Sequence, residues 1–255
     1  MENYGIPIYV INMASSTERL ADVTAQMEHL NLTFERIEAV VGAELSQDEI
    51  NKVYDADANK KRHHRNLTPG EIGCYVSHRK AWQKIVEGDS EFALVLEDDI
   101  HINDNLTACF ELVTKSMGWD FLKISDTEDV KVANKKRLNS EFDLVSYNKV
   151  PNRTMAYFLS KPAAIKMLEH KRFFRPVDVD VQCYADFGVS VCGLRPNCVE
   201  MSQELGLPEQ SDIAKINKGS HSSRSSFFRN LKYRWAMYNR RKQVSYDLDN
   251  FQIHP

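Results

Sequence analysis

The sequence predicts an α/β fold with a mostly parallel central sheet and helices on both faces, and two observations carry that expectation. The run Phe92-Ala93-Leu94-Val95-Leu96 has the length and apolar continuity of a strand buried on both faces. Strand-like segments are followed repeatedly by helix-start signals along the first two thirds of the chain. Alternation of this kind places helices as crossovers between parallel strands.

Ile6-Pro7-Ile8-Tyr9-Val10-Ile11-Asn12-Met13 reads as the first strand, and Ser15-Ser16-Thr17-Glu18 offers a capping box for a helix to about Leu30. A second strand is expected around Thr33 to Val40, with a second capping box at Ser46 and Glu49, before a basic loop from Asn59 to Arg65. Thr68, Pro69 and Glu71 combine a cap, a first-turn proline and a back-bonding carboxylate, so a helix starts there and ends at Gly88. After the strand at Phe92, a helix near Leu106 to Met117 and a short strand Phe121 to Ile124 follow. Strands are then expected at Phe142 to Tyr147 and Met155 to Leu159, with a helix opened by Ser160-Lys161-Pro162 and running to about His170.

The net charge of −3 hides an asymmetry. Nine basic residues between Lys215 and Gln243 face no acid, which leaves −12 on the remainder. A partly acidic body with a basic tail does not fit a nucleic-acid binder, whose basic patch belongs on the folded domain. The expected division is therefore a catalytic domain over residues 1–213 and a basic tail over 214–255. Five cysteines with no Cys-x-x-Cys pair and no zinc spacing point to a reduced, cytoplasmic protein. The start lacks a signal-peptide pattern, and no run approaches the roughly 18 apolar residues of a membrane span.

The strand at Phe92 runs directly into Glu97, Asp98 and Asp99. Ligands of open α/β sheets bind beyond the carboxyl ends of strands, so these acids fall where a site is expected. Hard cations such as Mn²⁺ or Mg²⁺ take one or two carboxylates together with phosphate oxygens of a substrate, and Glu97 with Asp99 could hold one against a diphosphate. A solvated acidic turn is the plainer alternative. Acid-x-acid recurs at Asp55/Asp57 and Asp178/Asp180, so only the position behind a buried strand singles out Glu97/Asp99. The absence of Gly-x-Gly-x-x-Gly and of a P-loop pattern argues against dinucleotide and P-loop chemistry.

Taken together, Ile8 to Met13 with Arg19, Arg36-Ile37-Glu38-Ala39-Val40, Leu67-Thr68-Pro69-Gly70-Glu71-Ile72-Gly73-Cys74 leading to Ser77-His78 and Ala81-Trp82, and Val95 to Asp99 resemble glycosyltransferase family 25. Ala156 to Ser160, Pro176-Val177-Asp178 and Ser211-Asp212-Ile213 extend the resemblance over roughly residues 6 to 213. It implies a GT-A-type fold, a nucleotide-sugar donor (UDP-galactose first, UDP-glucose next), a divalent metal, inversion at the anomeric carbon and a lipooligosaccharide or lipopolysaccharide glycan as acceptor. Asn12, Arg19, Ala39, Ser77, His78, Glu97 and Asp98 become the expected donor-binding residues, with Glu97, Asp99 and a late histidine, His221, as metal ligands.

Inverting transfer needs a base for the acceptor hydroxyl. Asp178 is the first candidate, with Asp126, Glu128 and Asp180 as rivals and helix capping as its plain alternative. Two other classes compete with glycosyl transfer. One is a metal-dependent phosphohydrolase, for which Asp178/Asp180 would supply a second carboxylate cluster; the other is a noncatalytic sugar-nucleotide-binding module. In the tail, Phe228, Leu231, Trp235 and Tyr238 would form one helical stripe among basic residues. Such a helix suits an anionic membrane surface and a lipid-linked acceptor on the inner face of the cytoplasmic membrane; packing of the stripe on the body is the alternative. Oligomeric state is not legible.

Overall fold

In a computed structural model, residues 3–126, 130–202, 224–241 and 246–254 are described. The chain builds β1 (Ile8–Asn12), α1 (Thr17–His29), β2 (Glu35–Glu38), α2 (Gln47–Val53), α3 (Ala56–Arg62) and α4 (Pro69–Glu87). Next come β3 (Phe92–Glu97), β4 (Ile100–Ile102), α5 (Asn105–Val113), β5 (Ser116–Met117), β6 (Phe121–Lys123), β7 (Val132–Arg137) and β8 (Asp143–Tyr147). The remainder is β9 (Ala156–Ser160), α6 (Lys161–Glu169), α7 (Val177–Gln182), β10 (Val191–Arg195), β11 (Val199–Met201), α8 (Arg224–Arg241) and β12 (Gln252–Ile253).

Eight strands form the central sheet in the order β2-β1-β3-β9-β6-β10-β8-β7. The pairings β1 with β2, β1 with β3 and β6 with β10 are parallel, whereas β9 and β8 pair antiparallel with both of their neighbours. Six of the eight strands therefore point one way, and only β9 and β8 are reversed. Alternation along the central strands feeds two cores. Ile8, Val10, Leu94 and Leu96 pack with α1 and α5, while Tyr9, Ile11, Ala93 and Val95 pack with α4, α6 and α7.

Local signals held where side chains could complete them. Ser46/Glu49 and Thr68/Glu71 both form reciprocal capping boxes, and the Ser160 hydroxyl accepts from Ala163 N–H. The α1 box does not form: Ser16 caps without a side-chain bond, and its carbonyl accepts from the Asn12 amide instead. Most of the basic stretch expected as a loop is helical. Asp55 caps α3 through Ala58 N–H, and the helix carries Lys60, Lys61 and Arg62 in its last turn.

The tail returns to the body. Tyr246, Leu248 and Phe251 are buried in the α1/α5 core, the Tyr246 hydroxyl donates to Gly118 O, and β12 pairs with β5. Residues beyond 213 thus contribute to the core of the unit expected to end there. No helix among the described residues is long and apolar enough to cross a membrane.

Candidate functional site

The acidic triplet stands at the carboxyl end of β3, and the three side chains diverge. Asp98 turns toward β1 and α1: its Oδ2 accepts from Asn12 Nδ2 at 2.7 Å, and Arg19 lies 3.4 Å from its Oδ1. Burial raises its carboxyl, with Asn12 and Arg19 opposing. Asn12 is buried behind the cleft wall, where it also takes a 2.9 Å bond from Arg36 Nε. It braces Asp98 and is not among the residues that line the cleft.

Glu97 turns toward α4. Its Oε1 accepts from Thr154 Oγ1 at 2.9 Å and lies 3.2 Å from His78 Nε2. The His78 tautomer follows from a chain of donors. Trp82 Nε1–H can only donate, and it bonds the Tyr157 hydroxyl at 2.8 Å. That hydroxyl in turn bonds His78 Nδ1 at 2.9 Å, so Nδ1 accepts and Nε2 carries the proton toward Glu97. Burial works to raise the Glu97 carboxyl, but the His78 and Thr154 bonds and the Lys123 charge prevail and hold it below the usual range.

Asp99 is the unsatisfied member. Its Oδ1 is buried without a hydrogen-bond partner, and burial together with the Glu97 and Asp98 charges pushes its carboxyl up to about 6. An orphaned carboxylate oxygen beside a second carboxylate is what an oxygen-seeking divalent cation would satisfy. Cys74, His78 and Glu97 also lie within metal-ligand distance of one another. That trio suits a hard cation poorly: burial keeps the Cys74 thiol protonated, and His78 Nε2 is occupied as a donor. Glu97 and Asp99, both lining the cleft, offer the carboxylate oxygens such a cation prefers. His221 lies outside the described residues.

Arg19, Ala39, Ser77, His78, Glu97, Asp98 and Asp99 line one cleft, together with the loop from Val40 to Ala43 and Gly70 and Cys74 of α4. Ser77 serves the wall: its hydroxyl donates to Gly73 O at 2.7 Å and accepts from Val40 N–H at 2.8 Å. Asp178 lies in a neighbouring cavity of about 680 Å³, lined also by Arg65, Glu71, Lys149, Tyr233 and Arg234. It is not the cap of α7, which is Pro176; Asp178 Oδ1 accepts from Val179 N–H within the first turn. Burial raises its carboxyl, and Glu71 and Glu97 add to the rise.

Two of the rival candidate bases carry other bonds. Asp180 bonds Arg175 at 2.5 Å and accepts from the Tyr75 hydroxyl at 2.7 Å. Asp126 is paired with Arg195 and accepts from Tyr147 at 2.9 Å. Glu128 lies outside the described residues. Sequence reasoning missed Thr154, Tyr157 and Lys123. In the sequence Lys123 shows only a strand residue, Tyr157 a strand residue within a block that resembles family 25, and Thr154 sits in no pattern. Lys123 is fully buried, donates to Arg153 O at 2.6 Å, and is pulled down by burial to about 8 against the Asp126, Glu97 and Asp178 charges.

The sequence profile of glycosyltransferase family 25 (LPS biosynthesis protein) matches residues 5–183. The chain belongs to glycosyltransferase family 25. Among family 25 relatives, a "Glycosyltransferase 25 family member" from Aedes aegypti is 30% identical over 180 residues, covering 68% of this chain and 29% of its own length. "Procollagen galactosyltransferase 1-A" from Xenopus laevis is 24% identical over 188 residues, covering 68% of this chain and 30% of its own. "Probable inactive glycosyltransferase 25 family member 3" from Rattus norvegicus is 26% identical over 190 residues, covering 68% and 31%. The chain thus spans less than a third of the length of these family 25 relatives. A crystal structure of the galactosyltransferase LgtC in complex with donor and acceptor sugar analogs aligns over 91% of this chain and 95% of its own, at 12% identity and a TM-score of 0.37.

Proposed function

We propose that this chain is an inverting glycosyltransferase that moves a hexose, galactose before glucose, from a UDP-sugar to a glycan acceptor of the lipooligosaccharide or lipopolysaccharide class. One observation carries the reading: at the end of a buried strand, Asp98 is bonded by Asn12 and Arg19 and Glu97 is held on one oxygen, while Asp99 faces the same cleft with a buried oxygen unpartnered.

Glu97 and Asp99 would hold the divalent cation, which when bound supplies a Lewis acid for the diphosphate leaving group. Arg19 adds a cationic side chain to the same cleft, suited to the donor phosphates. Ala39 and the loop to Ala43 wall the donor against α4, and Ser77 keeps that wall in place. Asp178 takes the proton of the acceptor hydroxyl as its oxygen bonds the anomeric carbon, and the bond from that carbon to the diphosphate oxygen breaks with inversion. The raised Asp178 carboxyl makes it a better base than an exposed aspartate, and its cavity, within the size range of ligand sites, gives the acceptor a place beside the donor.

The phosphohydrolase alternative loses its second carboxylate cluster, because Arg175 and Tyr75 occupy Asp180. A noncatalytic module is the alternative that relatives named inactive keep in view. Purified protein incubated with UDP-sugars, with and without Mn²⁺, separates the three. Metal-dependent transfer or slow donor hydrolysis favouring UDP-galactose supports the proposal. Phosphate release from simple phosphoesters, or donor binding without turnover on any glycan, contradicts it.

A further inference from the structure

We infer that α3 and α8 together form a docking face for the anionic surface of a lipid bilayer. Helix α8 is fastened to the body along one side. Arg229 donates to His63 O at 2.6 Å and to Asn59 Oδ1 at 2.7 Å, the Tyr233 ring packs 5.0 Å from His63, Met237 is buried against Cys183, and Arg240 pairs with Asp186 at 3.0 Å. Residues 229, 233, 237 and 240 recur at helical spacing, so they define the inner face.

The outer face keeps large side chains in water. Leu231, Trp235 and Tyr238 are 57%, 68% and 55% exposed, at spacings of four and three residues. Of the sequence stripe, Leu231 and Trp235 face away from the body, and Tyr238, though exposed, also borders the Asp178 cavity. A tryptophan left outside while Met237 is buried marks a surface meant for a partner.

Beside this stripe runs a groove of about 780 Å³ between α3 and α8, lined by Lys60, Lys61, Arg62, Arg229, Lys232 and Arg240, with no carboxylate among its lining residues. Asp186 lies behind Arg62 and Arg240 and takes up part of their charge, at 3.8 and 3.0 Å. Lys60, Lys61 and Lys232 have no ion-pair partner among the described residues. Their charge is available to phosphates. Two basic segments far apart in sequence thus meet at one place, with Trp235 and Tyr238 as interfacial anchors beside them.

That combination fits the headgroup layer of an anionic membrane: aromatic rings at the acyl boundary, lysines among the phosphates, and no spanning helix required. Tyr233, Arg234 and Tyr238 also line the Asp178 cavity, so docking through α8 would turn the acceptor entrance toward the bilayer. The docking does not depend on the transfer reaction, and it can fail or succeed separately from it.

The test is cosedimentation of the full chain with phosphatidylglycerol-containing vesicles and with phosphatidylcholine vesicles, at low and high salt. Wild type is expected to bind the anionic vesicles at low salt and to release at high salt. The triple variant Lys60→Gln/Lys61→Gln/Lys232→Gln is expected to bind about 100-fold more weakly, three lysines at about 1 kcal/mol each. Trp235→Ser is expected to lose about tenfold. All three residues of the triple variant and Trp235 are on the surface, and unchanged unfolding midpoints would show that the fold is intact. Wild type left in the supernatant, equal binding to both vesicle types, or binding untouched by either variant overturns the inference. So does a preference for single-stranded DNA over vesicles, or self-association through the Trp235 face.

Discussion

Gly73 of α4 and Val40 approach so closely that a β-carbon at position 73 would lie 2.3 Å from the Val40 carbonyl oxygen. Two backbones touch there because neither side chain intervenes, and the contact closes one wall of the candidate donor cleft. Gly73→Ala must push the loop from Val40 to Ala43 off α4. The expected cost is about 1–3 kcal/mol of stability with a marked loss of UDP affinity, read from urea midpoints and nucleotide titration. Unchanged UDP affinity would mean that this wall does not shape the donor site.

Tyr157→Phe removes the hydroxyl that accepts from Trp82 and donates to His78 Nδ1. The ring of His78 loses the partner that keeps its proton on Nε2, and Glu97 loses a fixed donor. Outer partners of this kind typically change metal affinity by about 10–100-fold. The fold should persist, with Mn²⁺ binding weakened in that range and the His78 tautomer mixed by ¹⁵N NMR. A single Nε2–H tautomer in the variant would show that Trp82 and Tyr157 do not set it.

Asp178 and Asp180 sit two residues apart and should respond oppositely. Asp178→Asn is expected to lower kcat by about 100-fold or more with UDP affinity nearly unchanged, because the base acts on the acceptor. Asp180→Asn removes the charge from the carboxylate that bonds buried Arg175 and Tyr75, leaving Asp186 at 3.0 Å as the remaining carboxylate on Arg175, and is expected to destabilise the protein by about 1–3 kcal/mol. Loss of UDP binding in Asp178→Asn would move that residue to the donor side.

Acid should loosen the attachment of α8 through His63. Burial, with the His64, Arg65 and Arg175 charges and against Glu71, lowers this imidazole from 6.5 to about 3, and the Tyr233 ring covers it. Between those values the unfolded chain binds a proton that the folded chain refuses, so the contribution is complete above pH 6.5 and is lost as pH falls toward 3. Urea midpoints at pH 7 and pH 5 should fall further for wild type than for His63→Phe. Equal falls would mean that His63 titrates freely in the folded protein.

Much of this architecture was legible because it is local. The Thr68/Glu71 box and the apolar run ending at Glu97 each need only neighbouring residues to declare themselves. What stayed hidden depends on distant partners. β7, an exposed strand with the polar sequence Val-Ala-Asn-Lys-Lys-Arg, acquires its state from pairing with β8, and no periodicity announces it. That Asp180, unlike Asp178, is tied up in bonds depends on Arg175 and Tyr75, the latter 105 residues from Asp180. The same holds for Thr154 on Glu97. Most of the expected site residues meet in one cleft, but which of them line it and which brace it was decided by the fold.

The most direct test is a calorimetric titration of UDP in the presence and absence of Mn²⁺, on wild type, Asp99→Ala and Asp55→Ala. Asp55 is the cap of α3, so its loss should cost about 1 kcal/mol of stability and leave the nucleotide site alone. Wild type and Asp55→Ala are expected to bind UDP more tightly with Mn²⁺, and Asp99→Ala is expected to lose that metal-dependent gain while remaining folded. Metal-dependent binding that survives Asp99→Ala, or that fails equally in folded Asp55→Ala, would contradict the assignment of the Glu97–Asp99 cleft as the metal-assisted donor site.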